Sequence, residues 1–308
     1  MGIRLYKNVD LKEPFFIVGW PGIGNVGLIA VDTLRKMLNA EFFGEVEGYE
    51  FFNPRKVKIK DGLLLNLEFP SNKLYYSKRG ESDFLFFVGE EQPKRGVTSK
   101  YAEGEEAYNM ANLVIDIAER FKCKHIFTSG AAVSYIHHTM LSKVWAVPND
   151  DSLLPEVKKY PDVVLMSEIE GRGGQGFISG LNGLLIGVAK KRGFKATCFM
   201  GEVPIYLQGL QVPYPKASRA VLRVFNSMFN LDLDLTNFDN IVLEAEGKIN
   251  EVYEEIPLEI REQLEKLKEF DYIKRSELQP LTDENRKRFW DEISEFLKKG
   301  GSKSDESL

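Results

Sequence analysis

The apolar positions of the chain follow two alternating patterns. Short apolar or alternating runs occur at Phe15–Val18, Val57–Lys60, Leu63–Leu67, Phe84–Val88, His125–Thr128, Val144–Val147, Val163–Met166 and Ala196–Met200. Their length and content of branched and aromatic residues predict strands. Asp61-Gly62 separates two of them, and Asp-Gly between alternating runs signals a tight hairpin. Between the strands lie stretches with helical spacing: Gly27–Leu38, Glu105–Phe121, Ser179–Arg192 and Pro215–Phe229. In the second, Ala107, Met110, Ala111, Val114, Ala118 and Phe121 fall on one face. Pro215 opens the fourth, where proline is tolerated in a first helical turn.

Strands and helices alternate in this way to about residue 235, which predicts an α/β fold with a mainly parallel central sheet flanked by helices. Phe42 to Phe87 should add antiparallel strands. After about Asn240 the chain turns acidic and strand-free. Leu258–Phe270 and Asp283–Lys299 read as amphipathic helices, and the second has Phe289, Ile293, Phe296 and Leu297 on one face. The expected organisation is an α/β domain over 1–240, a helical extension over 241–300 and a disordered tail over 301–308. The extension is expected to dock on its own α/β domain. The alternative is oligomer or partner contacts.

Composition narrows the function classes. Of 308 residues, 43% are hydrophobic and 28% charged, which suits an ordinary globular core. The net charge of −5 gives no basic excess for nucleic acid. Arg55 to Lys60 alternates with apolar residues, as a half-exposed strand would. Met1–Leu11 lacks the apolar run of a secretory signal, and the apolar-rich stretch Ile178–Ala189 is too short to span a bilayer. With Cys123 and Cys198 as the only cysteines, the chain reads as cytoplasmic.

The stretch "FFIVGWPGIGNVG" carries Gly22-x-Gly24-x-x-Gly27, the letters of a dinucleotide-binding turn. Such a turn needs its first glycine at the strand end, and an acid about 20 residues on at the end of the next strand. Here Gly19, Trp20 and Pro21 intervene. Glu47 lies in a Gly/Glu-rich stretch, and a hairpin region follows instead of a βαβ unit. The glycines therefore read as a tight strand-to-helix turn, and no cofactor is implied. A second glycine-rich loop, "EGRGGQGFISG" from Glu170 to Gly180, also lies between strand and helix. Its N–H groups and Arg172 could cradle an anion. If both loops follow parallel strands, both lie at carboxyl ends, where open α/β sheets bind ligands. The candidate crevice is then Gly22, Gly24, Asn25, Gly27, Arg172, Gly173, Gly174 and Glu202.

Other chemistry is weakly represented. His137-His138 and Cys123-x-His125 lack metal-ligand spacing, and neighbouring histidines on a strand would point to opposite faces. Cys123 reads as a buried apolar residue. Neither Ser129 nor Ser179 sits in a Gly-x-Ser-x-Gly elbow, and Ser179 reads as a helix N-cap. No P-loop is present. No catalytic residue is assigned, and an enzyme is the less favoured reading.

Three segments in order, "GWPGIGNVGLIAVDTL", "GFISGLNGLLIGVAKKRG" and "GEVPIY…VPYPKASRAVLRVFN", resemble the proteasome assembly chaperone 2 family over roughly residues 14–240. The resemblance implies a fold similar to purine nucleoside phosphorylases, homo-oligomers, and a protein partner, proteasome α-subunits in members with an assigned role. Archaeal-type chaperones of the family end in hydrophobic-Tyr-any, whereas Glu306-Ser307-Leu308 has serine at the tyrosine position, so tail docking is not carried over. The resulting expectation is a non-enzymatic chaperone-like protein. The alternative is a small-molecule binder or enzyme of phosphorylase-like fold, using the glycine-lined crevice for a nucleoside or phosphorylated ligand.

Overall fold

A computed structural model describes residues 2–53, 57–65, 67–79, 82–94, 102–168, 176–209 and 212–269. In chain order the strands and helices are β1 (Ile3–Leu5), β2 (Phe15–Gly19), α1 (Val26–Met37), β3 (Glu41–Val46), β4 (Ile59–Lys60), β5 (Leu63–Leu64), β6 (Asn72–Arg79), β7 (Ser82–Gly89), α2 (Gly104–Arg120), β8 (His125–Ser134), β9 (Val144–Pro148), α3 (Leu154–Val157), β10 (Val163–Leu165), α4 (Leu181–Lys191), β11 (Ala196–Pro204), α5 (Pro215–Phe229), α6 (Thr236–Glu254) and α7 (Leu258–Glu265). Nine strands form one sheet in the order β1-β3-β6-β7-β2-β8-β11-β9-β10. Its centre, β7-β2-β8-β11, is parallel, as is the β9–β10 pair. β1, β3 and β6 extend one side as an antiparallel flank, and β9 runs antiparallel to β11.

The central strands are buried on both faces, which is why they read as continuous apolar runs. On β2, Phe16 and Val18 enter one core, which α2 and α4 cover. Ile17 enters the other, covered by α1 and α5. The apolar face foreseen on α2 is buried from Ala107 to Ala118, and Phe121 packs beside it. In α5, Val221, Leu222 and Phe225 are fully buried. Each such side chain contributes about 1.5–3 kcal/mol.

β3 and β6, neither with a clean apolar run, supply the antiparallel strands expected between Phe42 and Phe87. Gly44 in β3 lies against β1, and a bulge occurs between Phe42 and Gly44. β6 (Asn72–Arg79) mixes polar residues on both faces. The Asp61-Gly62 hairpin forms, with both turn residues at positive φ (52° and 77°) as a type I′ turn requires. It nevertheless stands apart from the main sheet as the two-stranded β4–β5 ribbon, and Val57, Ile59, Leu63 and Leu64 are exposed.

Residue 240 falls inside α6, a helix the charged sequence concealed. Asn237, Asn240, Gly247 and Asn250 weaken its propensity, and only Phe238, Val242 and Ile249 form its buried stripe. That stripe joins Leu264 of α7 in the second core. Arg219 of α5 holds Asp239 of α6 through a two-point ion pair. The helix expected over Asp283–Lys299 and the tail 301–308 lie outside the described residues.

Candidate functional site

The first glycine turn lies at the carboxyl end of β2. Gly22 is extended (φ −164°) and its carbonyl accepts from the Asn25 N–H at 2.9 Å. Gly24 and Asn25 follow at φ 56° and 49°, in the left-handed region that favours glycine and asparagine. Two elements then press on the turn. Tyr214, at the start of α5, donates its N–H to the Gly24 carbonyl at 2.8 Å. A Cβ on Gly24 would sit 2.8 Å from the Tyr214 Cβ. Gly27 lies on β8, where a Cβ would be 2.5 Å from the Ser129 carbonyl carbon and closer still to its oxygen. Ser218 of α5 donates its hydroxyl to the Val26 carbonyl at 3.0 Å. The glycines thus let α1 and α5 approach the parallel strands backbone to backbone.

The second loop ends on the other face of β8. A Cβ on Gly130 would lie 2.8 Å from Asn182 Nδ2 of α4. The N-cap of α4 is Gly180 at φ 79°, not Ser179. The helix end is closed instead by Gln92, whose Oε1 accepts from the Leu181 N–H at 2.9 Å. The same side chain donates Nε2–H to the Pro21 carbonyl at 2.6 Å. Gln92 therefore ties the two glycine loops together, a link no sequence pattern announced. Arg172, Gly173 and Gly174 lie outside the described residues.

Glu202 is fully buried on β11. Its carboxylate accepts the Trp145 indole N–H at 2.7 Å and the Lys143 N–H at 3.0 Å. The neighbouring Tyr214 phenol is raised above its usual range, first by burial, and Glu202 adds to the shift. Gly24 thus packs against the backbone and Cβ of Tyr214, whose buried phenol feels the Glu202 charge. Between Trp20 and Asn72, beside Gly89, the indole N–H and both amide atoms of Asn72 are buried without a hydrogen-bond partner among the described residues.

An open groove of about 600 Å³ runs between the start of α2 and α4. Tyr108, Ile178, Leu184 and Val188 line it, with Lys191 at one end, and the adjacent Phe177 is 100% exposed.

A polar joint lies where α6 and α7 meet the loop after β8. The strand ends at Ser134, so His137 and His138 are loop residues. Their rings are 4.2 Å apart in one buried cluster, which corrects the expectation of opposite faces. His138 bonds the Asn250 amide oxygen through Nε2 at 2.9 Å, which assigns the proton there. Nδ1 then accepts from the Tyr206 hydroxyl at 2.7 Å, and that oxygen accepts the His138 N–H. Lys216 donates to the His138 carbonyl at 2.7 Å and pairs with Glu246. Burial lowers both imidazoles, His137 to about 4. Burial likewise raises the Cys123 and Cys198 thiols to about 12. Among the described residues no group of three or more His, Cys, Asp or Glu is placed to hold a metal ion.

In topology the first glycine turn differs from a dinucleotide fold. β3 is separated from β2 by β6 and β7, and Glu47 pairs with Arg4 at the sheet edge, 2.7 Å away. An acid there is two strands removed from the position that would reach a ribose bound at the β2 turn.

A sequence profile of the PAC2 family matches residues 16–253. The chain belongs to the PAC2 family. An uncharacterized protein of Methanocaldococcus jannaschii is 24% identical over 286 residues, spanning 92% of this chain and 95% of the relative. Among solved structures, Pyrococcus furiosus PbaB, an archaeal proteasome activator, superposes with a TM-score of 0.65 at 26% identity, covering 82% of this chain and 98% of that one. P. furiosus PbaA, an archaeal homolog of proteasome-assembly chaperone, gives 0.59 at 19% identity over 87% and 98% of the two chains. The second likeness is one of fold. Among the described residues no helix is long and apolar enough to cross a membrane.

Proposed function

We propose that this chain is a non-enzymatic, chaperone-like protein of the cytoplasm that self-associates and binds proteasome α-subunits or a closely similar protein partner. Family membership supports the chaperone-like role, and the described activities of PbaB and PbaA support the partner class. The observation that carries the reading is the open groove along α4 with Phe177 fully exposed beside it. Large exposed apolar side chains around a groove mark protein-binding surfaces. The close packing at Gly24 supports the same reading, because the Tyr214 backbone and Cβ press directly on the turn.

The test is capture of purified α-subunits by the immobilised chain at micromolar concentration. Phe177→Ser with Tyr108→Ser should reduce capture at least tenfold and leave the melting temperature unchanged, since both side chains are exposed. Capture unaffected by this double variant would place the partner elsewhere, and no capture by the wild type would remove the partner class.

A second reading, a nucleoside or phosphorylated ligand at the carboxyl ends of β2 and β7, draws on the unpartnered Trp20 and Asn72 groups. Buried polar atoms are ordinarily paired with protein or water. A panel of nucleosides and inorganic phosphate that leaves the melting temperature unmoved would discard it.

A further inference from the structure

We propose that His137 and His138 form a pH-sensitive latch, which fastens the far end of the helical extension, residues 247–267, to the α/β body and releases it on acidification.

Both rings are buried, and each has its Nδ1 committed as an acceptor. At His138 the donor is the Tyr206 hydroxyl, while Nε2 donates to Asn250 of α6. At His137 the Thr139 N–H points to Nδ1 at 3.3 Å, with the Thr139 hydroxyl 2.8 Å away. The His137 proton is therefore assigned to Nε2, which has no hydrogen-bond partner among the described residues. A second proton on either ring would go to Nδ1 and meet a donor. At His138 it would turn the Tyr206 hydroxyl away and leave that hydroxyl proton unpaired. At His137 it would face a backbone N–H that cannot turn.

The surroundings oppose the charge as well. Burial lowers both imidazoles most, and Lys216 of α5 and Lys268, in the turn after α7, lower them further. The rings are 4.2 Å apart, so a charge on one disfavours a charge on the other. Two contacts pull the other way. The Asn250 bond favours a charged His138, and Glu265 of α7 stands 3.5 Å from His137 Nε2. Glu265 is shared with Lys268 and the Tyr253 hydroxyl, and Glu246 of α6 pairs with Lys216. Tyr206 and Tyr253 are raised, first by burial, and stay neutral.

The two halves of α6 are held differently. Before Gly247, the Arg219–Asp239 and Lys216–Glu246 ion pairs join Phe238 and Val242 in fixing it. After Gly247, Asn250 and Tyr253 meet the histidines, as does Glu265 of α7, while Ile249, Ile256, Leu264 and Leu267 enter the second core. Glycine has a low helix propensity, so α6 yields most readily at Gly247. Opening there uncovers those four apolar side chains and the core surface beneath them. Histidine is the side chain whose ordinary range lies between pH 5 and 8. Glu265 is lowered, first by Lys268, and keeps its charge across that window. With His137 at about 4 when closed and at the ordinary 6.5 when open, acidification from pH 7.5 to 5 shifts the equilibrium about 25-fold towards the open form.

Amide hydrogen exchange of the full chain at pH 7.5 and pH 5, corrected for intrinsic rates, tests the latch. Residues 258–267 should lose at least tenfold in protection at pH 5 and exchange well before β8 at both pH values. Unchanged protection would overturn the proposal. So would a loss shared equally by β8, which would mean unfolding of the whole domain. In His137→Gln/His138→Gln, which cannot take up the charge, the ratio of protection at the two pH values should stay within twofold, whatever its level at pH 7.5. Either single variant should reduce the loss, and serves where the double variant fails to fold. Variants that keep the wild-type loss would put the titration on other groups and overturn the latch.

Discussion

Replacing Gly27 with alanine should be far more damaging than the same change at Gly22, although the two glycines belong to one motif. At Gly22 a Cβ meets nothing within 4 Å, and its φ of −164° is open to any residue. At Gly27 the added Cβ would stand 2.5 Å from the Ser129 carbonyl carbon, against about 3.5–4.0 Å for an unstrained carbon contact. The neighbour is strand backbone, so no rotamer change relieves it, and α1 would have to lift from β8 by about 1 Å. Overpacking of this kind costs about 1–3 kcal/mol, sometimes more. The gain in helix propensity from Gly to Ala, about 1 kcal/mol, offsets only part of it. Gly24→Ala should fall between, since its φ of 56° and the Tyr214 Cβ at 2.8 Å both oppose a side chain. At about 2–4 °C per kcal/mol for a chain of this size, thermal and urea melts will resolve the order Gly22, Gly24, Gly27. A Gly27→Ala protein that melts with the wild type, or a Gly22→Ala protein as unstable as Gly27→Ala, would refute the packing account. The second result would return the motif to ligand binding.

Three further outcomes follow from buried polar groups. His125 and His137 are both held near 4 by burial, and His138 is lowered too, so the unfolded chain takes up protons that the fold refuses. Stability should therefore fall as pH drops from about 6.5 towards 4, by about 1.4 kcal/mol per unit of each shift, and a urea midpoint unchanged from pH 7.5 to 5 would contradict this. Glu202→Gln should lower stability by about 1–3 kcal/mol and alter Trp145 emission, because the two donors use different carboxylate oxygens and the new NH₂ must face one of them; equal stability would count against the buried bridge. Cys123 and Cys198 should resist a thiol reagent at pH 8 in the native protein and react fully once it is unfolded, so rapid native labelling of either would show that burial is overstated.

What could be read from the sequence tracked how strongly each element's own residues dictated it. β2, β8 and β11 lie between two helical layers and carry apolar residues on both faces, so their runs were plain. α2 and α5 each present one full apolar face. The antiparallel flank was legible between Phe42 and Phe87 but its strands β3 and β6 were not placed, because Gly44 and the bulge beside it interrupt the period and β6 carries polar residues on both faces. α6 escaped because three buried side chains hold a helix of 19 residues whose surface is acidic. At the candidate site, the glycine motif was visible as letters, and its meaning as a turn followed from Trp20-Pro21. The partners that define it were not visible. Tyr214, Ser129 and Gln92 lie 190, 102 and 71 residues from Gly24, Gly27 and Pro21, and only the sheet order brings them together.

The central claim is that this chain acts by holding another protein, and sedimentation of purified proteasome α-subunits with and without it tests that most directly. The account predicts a new species containing both proteins at micromolar concentration, lost when Phe177 and Tyr108 are changed to serine. Profiles of the mixture that equal the sum of the separate components across that range would contradict it.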